Sequence, residues 1–377
     1  MQGQTAGRQA QDGVQIDIGV ILEKAEKIGE AMKDKRLNVM IIGPTGVGKS
    51  TLINAIFGSK KAETGSGKPI TQGIEEHKIN ENFYIYDTKG LERKDYGAIL
   101  NKLEKILDDN KKNPIDKQIH IVWLCIAEPS RRIEDSEKSI YDSCKDHQLP
   151  TMIVITKAQQ DKDENGVKFS DEVKKAFGID EELYQRVRAL SIEDDDGYKK
   201  PPKGLNELTD KSWKLLPEGL KGAFARQQIY NKKIKAEEAR NKVSWYARSG
   251  ILAGAQPIPF ADIAAVAAIQ IAMLIHINKI YDLELSKERV GELLTILASV
   301  AGSSIAVRFA GNFLKFIPGV GQLIGGPINA ALAVASTKLI GNTYISYLDR
   351  NYENLRNDIS FDEEELKAIA KEQKAIK

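Results

Sequence analysis

The chain has 377 residues, a formal net charge of +2 and an apolar content of 42%, which together allow two globular domains. The balanced charge argues against the basic surface that nucleic-acid-binding proteins carry, so no nucleic-acid partner is expected. Two cysteines are too few for a disulfide scaffold, which favours a reducing, cytoplasmic compartment. The four histidines are scattered without metal-ligand spacing, so a metal site built on His or Cys is not expected.

The first 36 residues divide into two segments. Residues 1–16 are polar and contain no apolar signal core, so we expect a disordered N-terminus. Apolar residues then recur at helical spacing, which predicts an N-terminal helix over 17–36. The polar face of this helix mixes both charge signs, which favours packing against a neighbouring domain over binding to a membrane surface.

A strand that runs into a glycine loop and a helix is predicted from Leu37 to Thr51. Its apolar run, Val39–Ile42, is typical of a parallel strand covered on both faces. The GxxxxGKS pattern that follows wraps backbone N–H groups around phosphates, with Lys49 on the β and γ phosphates and the Ser50 hydroxyl on Mg²⁺. The residues predicted to bind the nucleotide here are Gly43, Pro44, Thr45, Gly46, Val47, Gly48, Lys49, Ser50 and Thr51.

Two further motifs are placed to sense the γ phosphate. Thr71 follows the first helix in a polar segment that reads as a mobile loop, and it is predicted to reach both Mg²⁺ and the γ phosphate. Ile74–Ile79 and Phe83–Tyr86 are predicted as paired strands that lead into a DxxG motif, in which Asp87 would hold Mg²⁺ through water and the Gly90 amide would contact the γ phosphate. The predicted catalytic residues are Lys49, Thr71 and Gly90, and the predicted metal ligands are Ser50, Thr71 and Asp87.

The residue after the DxxG motif is Leu91. In Ras-like enzymes this position carries a glutamine that orients the attacking water, and leucine has neither a donor nor an acceptor. We therefore expect slow intrinsic hydrolysis unless another group, such as one from a second subunit, positions the water. Arg131 and Arg132, predicted to start a helix after the apolar strand 119–127, could act on phosphate across a dimer, although a solvated helix start is the favoured interpretation.

The apolar strand Thr151–Thr156 ends in TKAQ, which resembles the [NT]KxD motif that reads guanine. Thr156 and Lys157 fit that motif, but Gln159 takes the place of the aspartate that accepts two hydrogen bonds from guanine. A neutral amide opposes one of guanine's donors with a donor of its own, so selectivity for guanine should weaken. Asp161 is a candidate substitute if the loop is rearranged, and both alternatives remain open.

The remainder of the first domain ends with a short strand and a helix. Residues 187–192 are predicted to form the last strand, with Ser191 either near the base or at an ordinary strand end. Residues 205–216 are predicted as the closing helix. The first domain is thus assigned to residues 37–216.

The chain changes character after residue 216. Residues 217–250 contain no strong helix breaker and are predicted to form one long connecting helix. Residues 251–350 form a hydrophobic helical domain in which small residues and uncharged runs favour either a buried bundle or membrane insertion, with peripheral association through an apolar hairpin between them. Residues 351–377 are a charged C-terminal tail, predicted to be a surface helix.

The motifs GPTGVGKST, Thr71 in KPITQG, DTKG and TKAQ resemble the translation-factor-related class of P-loop GTPases, nearest to its Era-like, septin-like and immunity-related branches. The C-terminal half, with PIPFAD, IQIAMLIHINKIY and KFIPGVGQLIGG, is similar to a bacterial helical domain of unassigned function that is often fused to such GTPases and regarded as membrane-associated. Gly46 departs from the potassium-activated relatives, which place an asparagine there.

The resemblance implies an α/β fold with a mostly parallel sheet and flanking helices, followed by an all-α domain. It implies a GTP- and GDP-binding protein that requires Mg²⁺ and hydrolyses GTP slowly. We expect the switch to be coupled to homodimerisation through the GTPase domain and to a membrane or protein partner through residues 251–340, at the cytoplasmic face of a membrane. The alternatives are a nucleotide-loaded adaptor with negligible hydrolysis, favoured by Leu91, and an ATPase, favoured by Gln159.

Overall fold

The structure is a computed structural model that divides the chain into two compact units. One unit contains Lys33–Glu238 with Ile280–Asp282, and the other contains Ala239–Lys279 and Leu283–Lys377. The residues that the structure describes are 27, 35–58, 68–71, 74–88, 96–193, 195–253, 263–283, 289, 292, 293, 296, 330–356 and 361–375. The predicted segments 1–16 and most of 17–36 lie outside them.

The first unit is built on a seven-stranded sheet. Its strands are β1 (Leu37–Ile42), β2 (Lys68–Thr71), β3 (Ile74–Asn80), β4 (Phe83–Thr88), β5 (Ile121–Ala127), β6 (Thr151–Thr156) and β7 (Tyr184–Arg186). They lie in the order β2-β3-β4-β1-β5-β6-β7, in which β4, β1, β5, β6 and β7 run parallel and β3 and β2 add an antiparallel edge. A separate hairpin pairs β8 (Ile192–Glu193) with β9 (Lys199–Lys200).

Helices cover both faces of this sheet. Alternate residues of β1 enter two different cores: Val39 and Ile41 join one, whereas Met40 and Ile42 join the other. Every residue of β1 and β6 is buried, which is why both strands are continuous apolar runs rather than alternating ones. The helices of this unit are α1 (Lys49–Phe57), α2 (Tyr96–Asn110), α3 (Asp135–Asp146), α4 (Phe169–Phe177), α5 (Leu205–Leu215) and α6 (Glu218–Gln227).

The prediction of one helix over 217–250 is wrong. The segment forms α6 and then α7 (Lys232–Ala253), separated by a short link. Side chains stabilise the link: Gln228 Oε1 accepts a hydrogen bond from Asn231 N at 2.7 Å, and Gln228 Nε2 donates to Asn231 O at 2.9 Å. Residues of α6, Phe224 among them, pack into the sheet core instead of leaving it.

Two smaller boundaries also differ from the prediction. The last parallel strand is β7, which ends one residue before the predicted strand 187–192 begins, because the residues with strand pairing to β6 are Tyr184–Arg186. The helix predicted to start at Arg131 begins at Asp135, where Glu134 and Glu137 form a reciprocal capping box.

The described part of the second unit is helical. After α7 come α8 (Ile263–Tyr281), α9 (Ala330–Arg356) and α10 (Glu363–Ala375). In α9 the backbone of Gly341 lies so close to Val243 and Met273 that an added Cβ would overlap the Val243 side chain. The absence of a side chain at Gly341 thus allows close helix packing at this point.

The charged C-terminal segment, predicted as a tail, belongs to two helices. Residues 351–356 continue α9, and α10 buries Leu366, Ile369 and Ala370 along one face. The predicted C-terminal helix is present, but it is amphipathic and packs onto the bundle. Within the described ranges of the chain, none of the helices combines the length and the apolar character needed to span a membrane.

Candidate functional site

The glycine loop lies between the end of β1 and the start of α1. Gly43 packs so tightly that a Cβ there would stand 2.7 Å from the backbone oxygen of the buried Cys125 on β5. Gly48, the residue before α1, has a left-handed φ of 103° that favours glycine. Both glycines of the motif are therefore required by the local backbone, and the loop is drawn in against the sheet.

Lys49 folds back over this loop. Its buried ammonium donates to Gly43 O at 2.8 Å and to Pro44 O at 3.4 Å. The same Nζ lies 3.8 Å from Asp87 Oδ1. The loop therefore surrounds a positive charge at the N-terminus of α1, where the helix dipole also favours an anion.

Asp87 reaches the loop because β4 and β1 are parallel neighbours, with Asp87 paired to Ile41. Its Oδ1 is buried, and the structure gives this atom no hydrogen-bond partner among the described residues. Burial raises the pKa of Asp87, and the charges of Lys49 and His77 oppose that rise. A buried carboxylate oxygen without a donor is suited to a bound cation or to one of its water ligands.

The other predicted loop residues lie around the same point. Thr45, Gly46 and Ser50 are exposed, and Val47 is buried. Ser50 is the second residue of α1, at the helix N-terminus. The structure thus brings Lys49 of this segment within 3.8 Å of Asp87. Oxygen donors such as those of Ser50 and Asp87 are of the kind that Mg²⁺ prefers.

The two switch motifs are described only in part. Thr71 is the last residue of β2, and its backbone pairs with Ile74 of β3. This residue therefore lies in an edge strand and not in the predicted loop. Its side chain lies outside the described residues. Gly90 and Leu91 also lie outside them.

Thr156 lies at the carboxyl end of β6, beside the phosphate loop. Its hydroxyl donates to Val47 O at 2.7 Å and also contacts Ile126 O at 3.2 Å. This buried threonine therefore joins β6 to the glycine loop. Lys157 follows with a left-handed φ of 54° and an exposed side chain.

Glu128 is a site residue that the sequence did not single out. It is only 2% exposed, yet its Oε1 accepts a hydrogen bond from Gln159 N at 2.5 Å. Its Oε2 accepts from Arg186 Nε at 2.6 Å, which pairs the buried charge. Glu128 thus connects the ends of β5 and β7 to the TKAQ loop, and a lone glutamate after an apolar strand carries no motif that would reveal this.

The structure contradicts the substitution of Asp161 for the missing aspartate. Its carboxylate accepts hydrogen bonds from Ser170 N at 2.9 Å and Ser170 Oγ at 2.7 Å, and it lies 3.5 Å from Arg186 Nε. Partial burial opposes ionisation, but the Ser170 hydrogen bonds and Arg186 outweigh it and lower the pKa of Asp161. Asp161 is therefore engaged at the start of α4.

Two of the predicted peripheral residues, Ser191 and Arg132, are exposed, and Arg131 is not. Ser191 lies between β7 and β8, and no hydrogen bond among the described residues joins it to the TKAQ loop. Arg131 donates to Asp161 O at 2.9 Å and to Val167 O at 3.0 Å, so its guanidinium holds the loop before α4.

A cavity of about 680 Å³ borders the outer side of the glycine loop. Pro44–Val47 line one wall, and Arg132, Glu134, Asp135 and Glu137 contribute to the other. Lys49, Ser50 and Asp87 are absent from its lining, whose charged residues are Arg132 with Glu134, Asp135 and the buried Glu137. The cavity therefore borders the outer wall of the loop, and the ammonium of Lys49 lies outside it.

Comparison with known proteins gives the two parts of the chain separate relatives. Residues 38–157 match the family described as 50S ribosome-binding GTPase, and residues 223–375 match a domain of unknown function, DUF697. Magnetosome membrane protein 22 of Magnetospirillum gryphiswaldense is 29% identical over 136 residues, which is 36% of this chain and 68% of that protein.

A second curated relative is the probable GTP-binding protein EngB of Thermoanaerobacter pseudethanolicus. It is 28% identical over 152 residues, or 40% of this chain and 78% of that protein. Among solved structures, a probable GTP-binding protein engB is 18% identical with a TM-score of 0.34, and the match covers 47% of this chain and 97% of that one.

Proposed function

We propose that this protein, whose residues 38–157 match the family described as 50S ribosome-binding GTPase, binds GTP and GDP with Mg²⁺ and hydrolyses the γ-phosphate bond of GTP. The observation that carries the proposal is the position of Lys49, whose buried ammonium lies inside the glycine loop and faces Asp87. A fixed cation there would neutralise the β and γ phosphates, while the backbone N–H groups of the glycine loop other than Pro44 would surround them.

Ser50 and Asp87 would hold the magnesium ion. The hydroxyl of Ser50 is a direct oxygen donor at the start of α1, and the buried Oδ1 of Asp87 has no hydrogen-bond partner among the described residues. When bound, Mg²⁺ supplies charge neutralisation between the β and γ phosphates. Thr71 and Gly90 are the proposed switch residues that follow the γ phosphate.

Hydrolysis is slow in the isolated chain on this proposal. Leu91 occupies the position after the DxxG motif and offers no hydrogen bond to an attacking water. A second copy of the chain would supply the missing polar group on self-association. Of the two arginines near the glycine loop, Arg132 is the exposed one, whereas Arg131 is bound to loop carbonyls.

The helical region would convert the nucleotide state into a contact with a membrane or a membrane protein. The uncharged composition of residues 263–278 and the many small residues of the region support this role. The name of one relative, a magnetosome membrane protein, points in the same direction. On this proposal the protein acts in the cytoplasm, at the face of a membrane.

Single-turnover hydrolysis of GTP, measured over a wide range of protein concentration, tests the proposal. We expect a slow rate that rises with protein concentration and is lost in Lys49→Ala. If GTP binds but the rate stays at the uncatalysed background at every concentration, the protein is the nucleotide-loaded adaptor that Leu91 favours. If GTP does not bind, both functions are wrong.

A further inference from the structure

The TKAQ loop is held in one conformation by hydrogen bonds to its backbone. Ala158 N donates to Val187 O at 3.0 Å, and Arg188 Nη1 donates to Ala158 O at 3.2 Å. Gln159 N donates to Glu128 Oε1 at 2.5 Å. The direction in which residue 159 leaves the backbone is therefore set before any ligand binds.

The anchor on Glu128 is itself stabilised. Its second carboxylate oxygen is paired with Arg186, and the ion pair is enclosed between the ends of β5 and β7. A buried carboxylate with both oxygens engaged is costly to move, because displacement would leave an unpaired charge. Rearrangement of the loop to present a different residue at position 159 is disfavoured for the same reason.

Neither Asp161 nor Asp163, the two aspartates that follow Gln159 in this loop, takes over the role of residue 159. The carboxylate of Asp161 is engaged by Ser170 and faces Arg186, and its carbonyl accepts from Arg131. Asp163 accepts hydrogen bonds from Asn165 N at 2.9 Å and from Val167 N at 2.8 Å in its own turn. The side chain that the loop presents to solvent beside Lys157 is the neutral carboxamide of Gln159.

From this arrangement we propose that Gln159, anchored through Glu128, determines base specificity and favours 6-oxopurine nucleoside triphosphates with an oxygen or a hydrogen at position 2 over GTP. The inference rests on the proposed function, because it takes the TKAQ loop as the base site. A carboxamide has one acceptor oxygen and one NH₂ donor. Guanine offers two neighbouring donors, N1–H and the 2-amino group, so one donor always faces another.

A change at position 2 of the base removes this conflict. Xanthine keeps N1–H for Gln159 Oε1 and offers a 2-oxo acceptor to Nε2, which gives two complementary hydrogen bonds. Hypoxanthine keeps the hydrogen bond from N1–H to Gln159 Oε1. Its position 2 carries a hydrogen instead of an amino group, so no donor of the base faces Gln159 Nε2. Adenine has an acceptor at N1 in place of the N1–H donor, so it can take at most one hydrogen bond, from Gln159 Nε2, and cannot make the pair that xanthine makes. The expected order of affinity is xanthosine, inosine and then guanosine triphosphate, with about a tenfold difference between the first and the last.

Displacement of a ribose-labelled fluorescent GTP by unlabelled XTP, ITP, GTP and ATP, with Mg²⁺ present, tests the proposal. The matched variants are Gln159→Asp and Gln160→Asp, which introduce the same charge at neighbouring exposed positions. We expect XTP to compete best with the native protein, Gln159→Asp to make GTP the best competitor, and Gln160→Asp to leave the order unchanged.

The outcomes separate this inference from the proposed function. If GTP or ATP competes as well as XTP with the native protein, the role of Gln159 is wrong while triphosphate binding stands. If Gln160→Asp reverses the order as Gln159→Asp does, the effect is one of charge and the assignment to Gln159 is also wrong. If the labelled GTP does not bind and Lys49→Ala behaves like the native protein, the proposed function fails and the inference fails with it.

Discussion

Asp87 Oδ1 lies 3.8 Å from Lys49 Nζ, and within the described part of the chain it is a buried carboxylate oxygen without a hydrogen bond. Burial raises the pKa of Asp87, so in the absence of a cation its charge is held at a cost. The Lys49 ammonium and the Asp87 carboxylate therefore place opposite charges close together. The ammonium is suited to a phosphate, and the carboxylate is suited to a metal ion or to one of its water ligands.

Replacement of Asp87 by asparagine should remove the effect of Mg²⁺ on GTP binding. An amide keeps the size of the side chain but loses the charge, so we expect GTP affinity in Mg²⁺ to fall about tenfold. Titrations with labelled GTP in Mg²⁺ and in EDTA measure this, and the EDTA value should change little. Asp108→Asn, at an exposed position beside His147, is the control. An unchanged response to Mg²⁺ in Asp87→Asn would exclude Asp87 as a metal-binding residue.

Thr156 and Thr151 offer a matched comparison within β6. Both are buried, but Thr156 donates to Val47 O in the glycine loop at 2.7 Å, whereas Thr151 donates to Leu149 O at 2.9 Å at the other end of the strand. Substitution by valine should cost each protein about 1 kcal/mol of stability, because a carbonyl loses its donor. Thermal unfolding and nucleotide titration should show that both variants are less stable but that Thr156→Val alone binds triphosphate more weakly. Equal affinities would mean that the contact with Val47 is structural only.

The two neighbouring arginines should have different effects. Arg131→Ala removes two hydrogen bonds to the carbonyls of Asp161 and Val167, so we expect a loss of stability of about 1–2 kcal/mol and no change in how hydrolysis depends on protein concentration. Arg132→Ala should leave the melting temperature unchanged and abolish the stimulation at high concentration. Stimulation that survives in Arg132→Ala would show that the activating group lies elsewhere.

Glu137 should make the protein less stable as the pH rises. Burial raises the pKa of its carboxyl to about 7, although the hydrogen bond from Glu134 N opposes the rise. The native state therefore binds this proton more tightly than the unfolded state, so the contribution is present at low pH and is lost between about pH 4.5 and pH 7. It amounts to about 3 kcal/mol at most.

Glu137→Gln tests this pH dependence. Glutamine keeps an acceptor for Glu134 N and has no charge, so the melting temperature of the variant should exceed that of the native protein increasingly as the pH rises from 4.5 to 7. Glu134→Gln, which alters the partner residue of the same capping box, is the comparison. A difference between Glu137→Gln and the native protein that stays constant with pH would mean that Glu137 does not titrate in this range.

Flotation with liposomes tests the proposed membrane role. Liposomes that contain anionic and neutral lipids should carry the full-length protein upward in at least one nucleotide state. Lys49→Ala should lose any dependence on nucleotide while retaining the helical region. Protein that stays at the bottom of the gradient with GTP, with GDP and without nucleotide would contradict the proposal.

The sequence predicted those parts of the site that depend on neighbours along the chain. Leu37–Thr51 follows from an apolar run, two glycines and a lysine in one segment, and Asp87 follows from its place at the end of a strand. The role of Glu128 was not predicted, because its partners Gln159 and Arg186 are distant in sequence. They reach Glu128 only because β5, β6 and β7 are neighbours in the sheet, which composition does not reveal.

The break after α6 escaped for a related reason. The link between α6 and α7 contains neither glycine nor proline, the usual signals of a helix end. Asn231 instead donates through Nδ2 to Asn206 O at 3.0 Å, a contact with α5 that exists only in the folded unit. A tertiary hydrogen bond therefore stabilises the helix break here, although the local sequence favours a continuous helix.

The burial of Cys125, against which Gly43 packs, has a practical consequence that Cys144 shares. Cys125 and Cys144 are the two cysteines of the sequence, both are buried, and burial raises the pKa of each thiol to about 12. Neither forms an appreciable amount of thiolate at neutral pH, so maleimide reagents should leave the native protein unmodified. A single cysteine introduced at an exposed position such as Ser191 would then carry a spin label or fluorophore alone, without removal of either natural thiol.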